Sequence, residues 1–215
     1  MLHGVIINGT NTLSAHGLIL LDDLRIEEPT KKENRINIPG ADGDLDLSNA
    51  PQGRPVYNNR QISFTLFKAV GEMALETLRT SLRNAYHGQT AALILPNDPT
   101  HYYRGVMSIG AASGYNTGRI PVSMSAYPYK LKLADTVVAV TVSGTATAVL
   151  QNERRPVAPK ISTTAEITVS WGSSSVSLSA GEDWTVPGLI LGPGDTEITI
   201  AGNADVSIRY QEGSL

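Results

Sequence analysis

The sequence predicts a mainly β protein with one α-helix, arranged as two successive domains. Polar and apolar residues alternate in short runs along most of the chain, and this two-residue period marks strands that bury one face. Helical spacing is convincing only between Gly71 and Tyr86. From about Ala134, short alternating runs are separated by glycine-rich turns, which is typical of a β-sandwich. We therefore predict domains at residues 1–133 and 134–215.

The first domain combines strands with the helix. In the predicted strand Ile62–Phe67, every second residue is apolar, so one face should pack on a core. In the helix, leucines recur every three or four residues, and Gly88 stands where a left-handed C-terminal residue belongs. The apolar positions of these two elements are Ile62, Phe64 and Leu66, and Leu75, Leu78, Leu82 and Tyr86.

Two polar segments of the first domain are longer than simple connections require. Alternating runs on either side bracket the Pro39–Asp46 loop. The segment Ala111–Arg119 is rich in Gly, Ser and Asn, which predicts the tip of a long hairpin. The returning strand contains Pro121 and Pro128, and because proline cannot donate to a sheet, we expect this strand at an edge or with a bulge.

The second domain should contain only strands. Ile167, Val169 and Trp171 share one face, so we assign Trp171 to the core. Further on, alternation in 198–200 and again in 206–210 predicts two strands separated by a turn at Gly202-Asn203.

The composition limits the classes of protein to which the chain can belong. At 215 residues with 41% hydrophobic and 17% charged residues, it should fold into a substantial core. The absence of cysteine excludes disulfides and thiolate chemistry, and it fits assembly in a reducing cytoplasm. No apolar run reaches the roughly 18–20 residues that span a bilayer, so we expect no membrane insertion. The net charge of −3 offers no electrostatic footprint for nucleic acid.

No sequence motif indicates catalysis. The chain lacks a nucleophile elbow, a phosphate-binding glycine loop and paired metal-binding histidines, so we expect neither enzymatic activity nor a metal or cofactor. The run from Asp42 to Asp46 superficially resembles the start of a calcium loop, but it lacks the glycine and glutamate of that loop at the required positions. We interpret it as a turn that leads into an exposed strand. Trp184 lies beside Glu182 and Asp183, and it is the candidate if the second domain instead binds sugars.

Several segments, in order along almost the whole chain, resemble the distal tail protein (Dit) family of long-tailed phages, the siphophages. They are Gly4–Gly9, Ile38–Gly43, the strand Ile62–Phe67 with the following helix, Asn97–Tyr103, Tyr127–Lys130, Pro156–Ile161, Leu191–Gly194 and Val206–Tyr210. The resemblance lies in the shared order of these segments. Asp195 replaces the asparagine that many relatives have after the second-half proline-glycine turn.

The resemblance implies a specific architecture and role. The first domain would be a β-sandwich with one helix and an extended hairpin, and the second a galectin-like β-sandwich. Six copies would form a ring, part of the baseplate or tail tip of the virion, that joins the tail-tube protein to the tail-tip protein and to receptor-binding proteins for host attachment. DNA would pass through this ring without being bound.

A closed ring requires unlike surfaces that meet on neighbouring copies. We expect the two long polar segments to provide them, through Pro39, Gly40, Asp42, Gly43 and Asp44 and through Ser113, Gly114, Tyr115 and Asn116. Three alternatives stay open. These are a carbohydrate-binding module with Trp184 as its platform, a tail-tube protein that forms long tubes, and a hydrolase whose site is assembled only in space.

Overall fold

A computed structural model describes residues 3–50, 53–111 and 118–215 of the chain. Contacts divide it into two compact units, Met1–Lys130 and Leu131–Leu215. Each unit encloses its own cluster of buried apolar side chains. Among the described residues, no helix is both long and apolar enough to cross a membrane.

The first unit is an antiparallel sheet with helices packed on it. The strands are β1 (Ile6–Ile7), β2 (Thr10–Asn11), β3 (Ile19–Leu20), β4 (Arg25–Ile26), β5 (Arg35–Asn37), β6 (Asp44–Asp46), β7 (Arg60–Phe67), β8 (Thr90–Leu95), β9 (Asp98–Ile109) and β10 (Arg119–Ala126), and the helices are α1 (Thr12–His16) and α2 (Glu72–Tyr86). Along the sheet the strands follow the order β2-β1-β8-β9-β10-β7-β3, and β4 also pairs with β7.

The core of the first unit lies where the alternation of β7 predicts it. Ile62, Phe64 and Leu66 are at most 2% exposed, whereas Gln61 and Ser63 on the opposite face are exposed. Helix α2 covers this core with its buried leucines, Leu75 and Leu82, and with the partly buried Leu78 and Tyr86. The predicted fold class, a mainly β chain with a helix packed on a sandwich, is confirmed.

The end of α2 shows why a glycine follows it. His87 has an extended backbone, and Gly88 then adopts φ +73°, a conformation that favours glycine. The N–H of Gly88 donates to the carbonyl of Met107 at 2.8 Å. The chain therefore turns directly from the helix into the sheet.

The expected edge position of the proline-containing strand is wrong. β10 lies between β9 and β7 and pairs with both. Pro121 lies opposite Thr65 of β7, whose N–H and carbonyl are both bonded on the side away from β10. The Thr65 N–H donates to Asp23 at 2.9 Å, and the Thr65 carbonyl accepts the N–H of Leu21, so Thr65 needs no donor from Pro121. On the other side, pairing with β9 begins only at Val122, so no neighbouring strand requires a donor from Pro121.

The second unit is a β-sheet structure built around one long ribbon. Its sheet consists of β12 (Thr136–Asn152), β13 (Lys160–Thr163), β14 (Ile167–Trp171), β15 (Ser174–Leu178), β16 (Gly181–Thr185) and β17 (Gly194–Tyr210). Outside this sheet, β11 (Lys130–Lys132), which begins at the last residue of the first unit, pairs with β18 (Gly213–Ser214). The 17-residue strands β12 and β17 pair along their whole length, from Thr136 opposite Tyr210 to Asn152 opposite Gly194. The remaining order is β15-β14-β17-β13-β16.

The predicted turn at Gly202-Asn203 is also wrong, because both residues lie inside β17. Gly202 has φ +144° and pairs with Gly144, whose φ is +82°. A Cβ at Gly202 would lie 2.9 Å from the carbonyl oxygen of Glu166, so a glycine is needed where β14 approaches. Beside Gly202, the side-chain oxygen of Asn203 accepts the N–H of Gly144 at 3.1 Å, which adds a hydrogen bond between β17 and β12.

A buried carboxylate closes the second unit. Glu212 is 6% exposed and accepts hydrogen bonds from Lys132 at 2.9 Å, from Thr136 at 2.5 Å and from the N–H of Glu153 at 3.1 Å. Burial alone raises the pKa of Glu212, but these donors outweigh burial and hold the pKa below its usual value. The end of the chain is therefore fastened to the segments on either side of β12.

A second carboxylate fastens the start of β9. Asp98 accepts hydrogen bonds from Lys130 at 2.7 Å, from His101 at 2.9 Å and from Thr100 at 3.1 Å. Burial raises the pKa of Asp98, but donation by these three groups outweighs burial and lowers the pKa from 3.8 to about 2.

We expect Asp98→Asn to destabilise the first unit by about 2 kcal/mol at pH 7. A carboxylate with a depressed pKa stabilises the fold fully above its unfolded value of 3.8, and this contribution is lost as the pH falls through about 2. As the pH falls from 3.8 to about 2, the free energy of unfolding of Asp98→Asn should therefore decrease less than that of the original protein. Urea unfolding followed by circular dichroism would measure this, with the exposed Asp195→Asn as control. Parallel pH profiles for the original protein and Asp98→Asn would contradict the assignment.

Candidate assembly interface

The Arg35–Asp46 hairpin, which contains the first predicted contact segment, is a separate two-stranded sheet. β5 and β6 pair antiparallel, with Arg35 opposite Asp46, Ile36 opposite Leu45 and Asn37 opposite Asp44. Neither strand joins the main sheet of the first unit. Residues 32–46 are all exposed, so both faces of this hairpin are open to solvent.

A defined turn forms the tip of the Arg35–Asp46 hairpin. The N–H of Ala41 donates to the carbonyl of Ile38 at 3.1 Å, and Gly40 between them has φ +84°. Proline at the second position and a left-handed glycine at the third are the features of a type II turn. Pro39, Gly40, Asp42, Gly43 and Asp44, the residues predicted to meet a neighbouring copy, thus lie together at the exposed tip.

The base of this hairpin is anchored by a buried serine. The side-chain oxygen of Ser48 accepts the N–H of Asn34 at 2.9 Å, and the N–H of Ser48 donates to Asp46 at 2.8 Å. Hydrogen bonds from the side chain and backbone of Ser48 lower the pKa of Asp46. Ser48 therefore ties the two ends of the hairpin together at its base, while among the described residues β5 and β6 pair with no third strand.

The exposed apolar side chains of the Arg35–Asp46 hairpin require an explanation. Ile36 is 46% exposed, Ile38 is 44% exposed and Leu45 is 47% exposed. An isolated two-stranded hairpin is marginally stable in water, and adjacent exposed apolar residues commonly mark an interaction surface. Burial of this surface against another molecule would stabilise both the hairpin and the complex.

For the second predicted contact segment, around residues 111–119, the structure describes the two strands that lead into it. β9 and β10 pair antiparallel, with Ile109 opposite Val122, and so form the stem of the predicted long hairpin. Ser113, Gly114, Tyr115 and Asn116 lie outside the described residues, so their role at a subunit contact stays a prediction.

The candidate sugar-binding tryptophan lies on the edge strand β16. Trp184 is 41% exposed and is the cross-strand partner of the fully buried Ile161, so it belongs to the core-facing side of its strand. Its indole packs over Gly181, where a Cβ would lie 2.8 Å from the indole nitrogen. Trp171 is partly buried against the core of the second unit. The arrangement provides no second aromatic ring beside Trp184 among the described aromatic contacts.

The titratable groups form no recognisable catalytic or metal centre in the described parts of the chain. No cluster of three or more His, Asp or Glu side chains there is arranged to hold a metal ion. His101 is bonded to Asp98, and His87 accepts the N–H of Ile109. Asp44, in the calcium-like run, accepts a hydrogen bond from Asn37 within the hairpin. That the chain is not an enzyme therefore stays a prediction.

The class of structure is thus a two-unit β protein with a helix-covered first unit and an exposed apolar hairpin. Its fold is that of a phage distal tail protein. The chain is similar to the crystal structure of the Dit protein (gp 19.1) of SPP1, with a TM-score of 0.72, 14% sequence identity and 99% of both chains covered. That protein is described as a paradigm of the hub adsorption apparatus in phages that infect Gram-positive bacteria. No protein-family model and no curated protein matches the sequence.

Proposed function

We propose that this protein is a structural adaptor in the tail tip of a long-tailed phage, where six copies close into a ring. The observation that carries the proposal is the exposed apolar hairpin at residues 35–46 on a chain whose fold matches a Dit protein over its whole length. The fold supports a hub-type role, and the hairpin supplies a surface that a neighbouring copy can bury.

The hairpin is suited to a closed assembly because it can meet a surface unlike itself. A contact between the hairpin of one copy and a different surface of the next is heterologous, and repetition of such a contact closes into a ring when the rotation allows. In the proposed role the ring joins the tail-tube protein to tail-tip and receptor-binding proteins. DNA passes through the ring without being bound, and no catalysis, metal or cofactor takes part.

Electron microscopy and light scattering of the purified full chain test this proposal. We expect discrete rings whose mass is about six times that of one copy, in equilibrium with monomers at low concentration. Long tubes would favour the tail-tube alternative. A mass that stays at one copy, at high concentration and in the presence of tail-tube protein, would overturn the adaptor.

A further inference from the structure

Strand β12 leaves one edge of the second-unit sheet without a neighbour. Residues 131–215 are all described, and within them β12 pairs with β17 alone. Its other edge therefore presents backbone N–H and C=O groups along 17 residues, which is about 55 Å at the rise of an extended strand. Strands of globular proteins typically have about 3–10 residues, so this edge is unusually long.

The hydrogen bonds of β17 show which residues of β12 face this edge. Both backbone groups of Asp205 are directed to the β13 side, because its N–H donates to the Thr164 hydroxyl at 3.0 Å and its carbonyl accepts the Thr164 N–H at 3.2 Å. Thr141 lies opposite Asp205 on β12, so the backbone groups of Thr141 face the free edge instead of β17. Alternation along the strand gives Ala139 and Ser143 the same orientation.

The free edge lacks the features by which proteins protect exposed strands. Such edges usually carry charged residues or proline, or they are short. Between Thr136 and Asn152, β12 contains neither a charged residue nor a proline. The other two outer strands of the sheet, β15 and β16, have only five residues each, and β16 carries Glu182 and Asp183. The edge of β12 therefore has the character of a surface that another strand covers.

The core of the second unit is incompletely covered beside this edge. Val142 is 3% exposed, whereas Val138 and Val140 on the same face of β12 are only partly buried against the core. Further along the strand, only the small Ala146 of this face is partly buried. An added strand with apolar residues at alternate positions would cover the two valines and extend the core. The segment Val138–Ser143 therefore gains most from such a strand.

A second copy of β12 is a poor occupant of this edge. Antiparallel pairing of the whole strand with its own copy would be centred on Gly144, and this would place Glu153 opposite Asp135 at both ends. Opposed like charges destabilise an antiparallel pair. Any other centre would leave part of the strand beyond the end of its partner. An extended segment of a different protein carries neither restriction.

We propose that β12 binds an extended segment of another protein as an additional antiparallel strand along Val138–Ser143. The segment exchanges hydrogen bonds with the outward-facing backbone groups of Ala139 and Thr141, and its apolar side chains lie against Val138 and Val140. Because this edge is uncharged, the binding should change little with salt. The inference concerns the second unit alone and does not depend on the proposed ring.

A blocked peptide that copies residues 203–210 of this chain serves as the probe. It has the required alternation, with apolar residues at 204, 206, 208 and 210 and polar residues between them. Anisotropy of the labelled peptide measures its binding to the full chain, and hydrogen exchange with mass spectrometry locates it. We expect the peptide to bind and to slow exchange in fragments that cover Thr136–Ser143.

Methylation of the peptide amides provides a matched pair of probes. When the apolar residues lie against the core, the N–H groups of peptide residues 205 and 207 point to β12, and those of 206 and 208 point away. Methylation at 205 and 207 should weaken binding by about tenfold or more, because it removes donors and blocks the approach of the strand. Methylation at 206 and 208 should leave binding nearly unchanged.

A proline in the protein tests the same edge from the other side. Ala139→Pro removes a donor that faces away from β17, so the ladder between β12 and β17 should persist. We expect binding about tenfold weaker or less. Thr147→Pro is the matched control, because Thr147 lies on the same edge beyond Gly144, and this variant should bind the peptide like the original protein. Circular dichroism verifies that both variants are folded.

The outcomes decide the inference even if a proline variant does not fold, because the methylated peptides need no variant. Absence of binding by the unmodified peptide, or equal weakening by the two methylation patterns, would overturn it. Protection of Thr136–Ser143 that rises with the concentration of the chain alone would show that a second copy occupies the edge, and would overturn it too. None of these measurements depends on ring formation, so the proposed function is tested separately.

Discussion

Replacing Ile36 and Leu45 together by aspartate should abolish the ring and leave both units folded. Both side chains are nearly half exposed and stand opposite each other in the hairpin, so neither belongs to a core. Complete burial of an isoleucine or leucine contributes about 1.5–3 kcal/mol, and a buried unpaired carboxylate adds a further penalty. The loss at each contact should exceed about 3 kcal/mol, which corresponds to weakening of more than about a hundredfold.

Light scattering over a range of concentrations would measure this loss. Val137→Asp with Val149→Asp is the matched control, because these valines are 57% and 49% exposed but lie on β12 of the second unit. We expect the control to form rings. Rings formed by the Ile36/Leu45 variant at the original concentration would show that the hairpin is not the contact surface.

Gly105→Ala should be the most damaging single substitution that we consider, with a loss of about 3 kcal/mol or more. Gly105 is buried in the middle of β9, where it pairs with Ala91 on one side and Ala126 on the other. A Cβ there would lie 2.2 Å from the carbonyl oxygen of Ser125 and 2.5 Å from the Cα of Ala126. These backbone atoms cannot move away because β10 is also fixed by its ladder to β7.

Urea unfolding followed by circular dichroism would show this effect as a lower midpoint for the first unit. Gly192→Ala is a suitable control, because its Cβ would point into open space and its backbone is not left-handed. The control should be neutral or slightly stabilising. A neutral result for Gly105→Ala would mean that β9 and β10 can separate at this point.

Sequence reasoning predicted correctly the elements whose conformation follows from the periodicity of their own residues. The alternating face of β7 and the leucine spacing of α2 depend on local periodicity, and the structure has both. The short helix α1 was missed because its five residues are too few to show a period. The available signal is Asn11, whose side-chain oxygen caps the helix by accepting the N–H groups of Leu13 and Ser14.

The errors concern residues whose meaning depends on neighbouring strands. Pro121 is tolerated inside the sheet only because Thr65 points its backbone groups to the other side, which no local pattern reveals. Gly202-Asn203 predicts a turn, although the apolar positions from Ile198 to Tyr210 keep an even-numbered register across it. That unbroken register was the available sign of a single strand.

The candidate interface was predictable in position but not in character. The two alternating runs around Pro39 located the hairpin and its tip. Among the described residues the hairpin pairs with no third strand, so Ile36 and Leu45 stay exposed. This depends on tertiary structure, which the local sequence pattern does not reveal.

The unbroken strand β17 links the local stabilities of the second unit. One edge of it pairs with β12 throughout, while the other edge pairs with β14 near Ile200 and with β13 near Ile208. Partial opening that releases β17 from one neighbour must therefore strain its pairing with the others. The unit should open as one cooperative block, without a loosely held half that could fray while the rest stays closed.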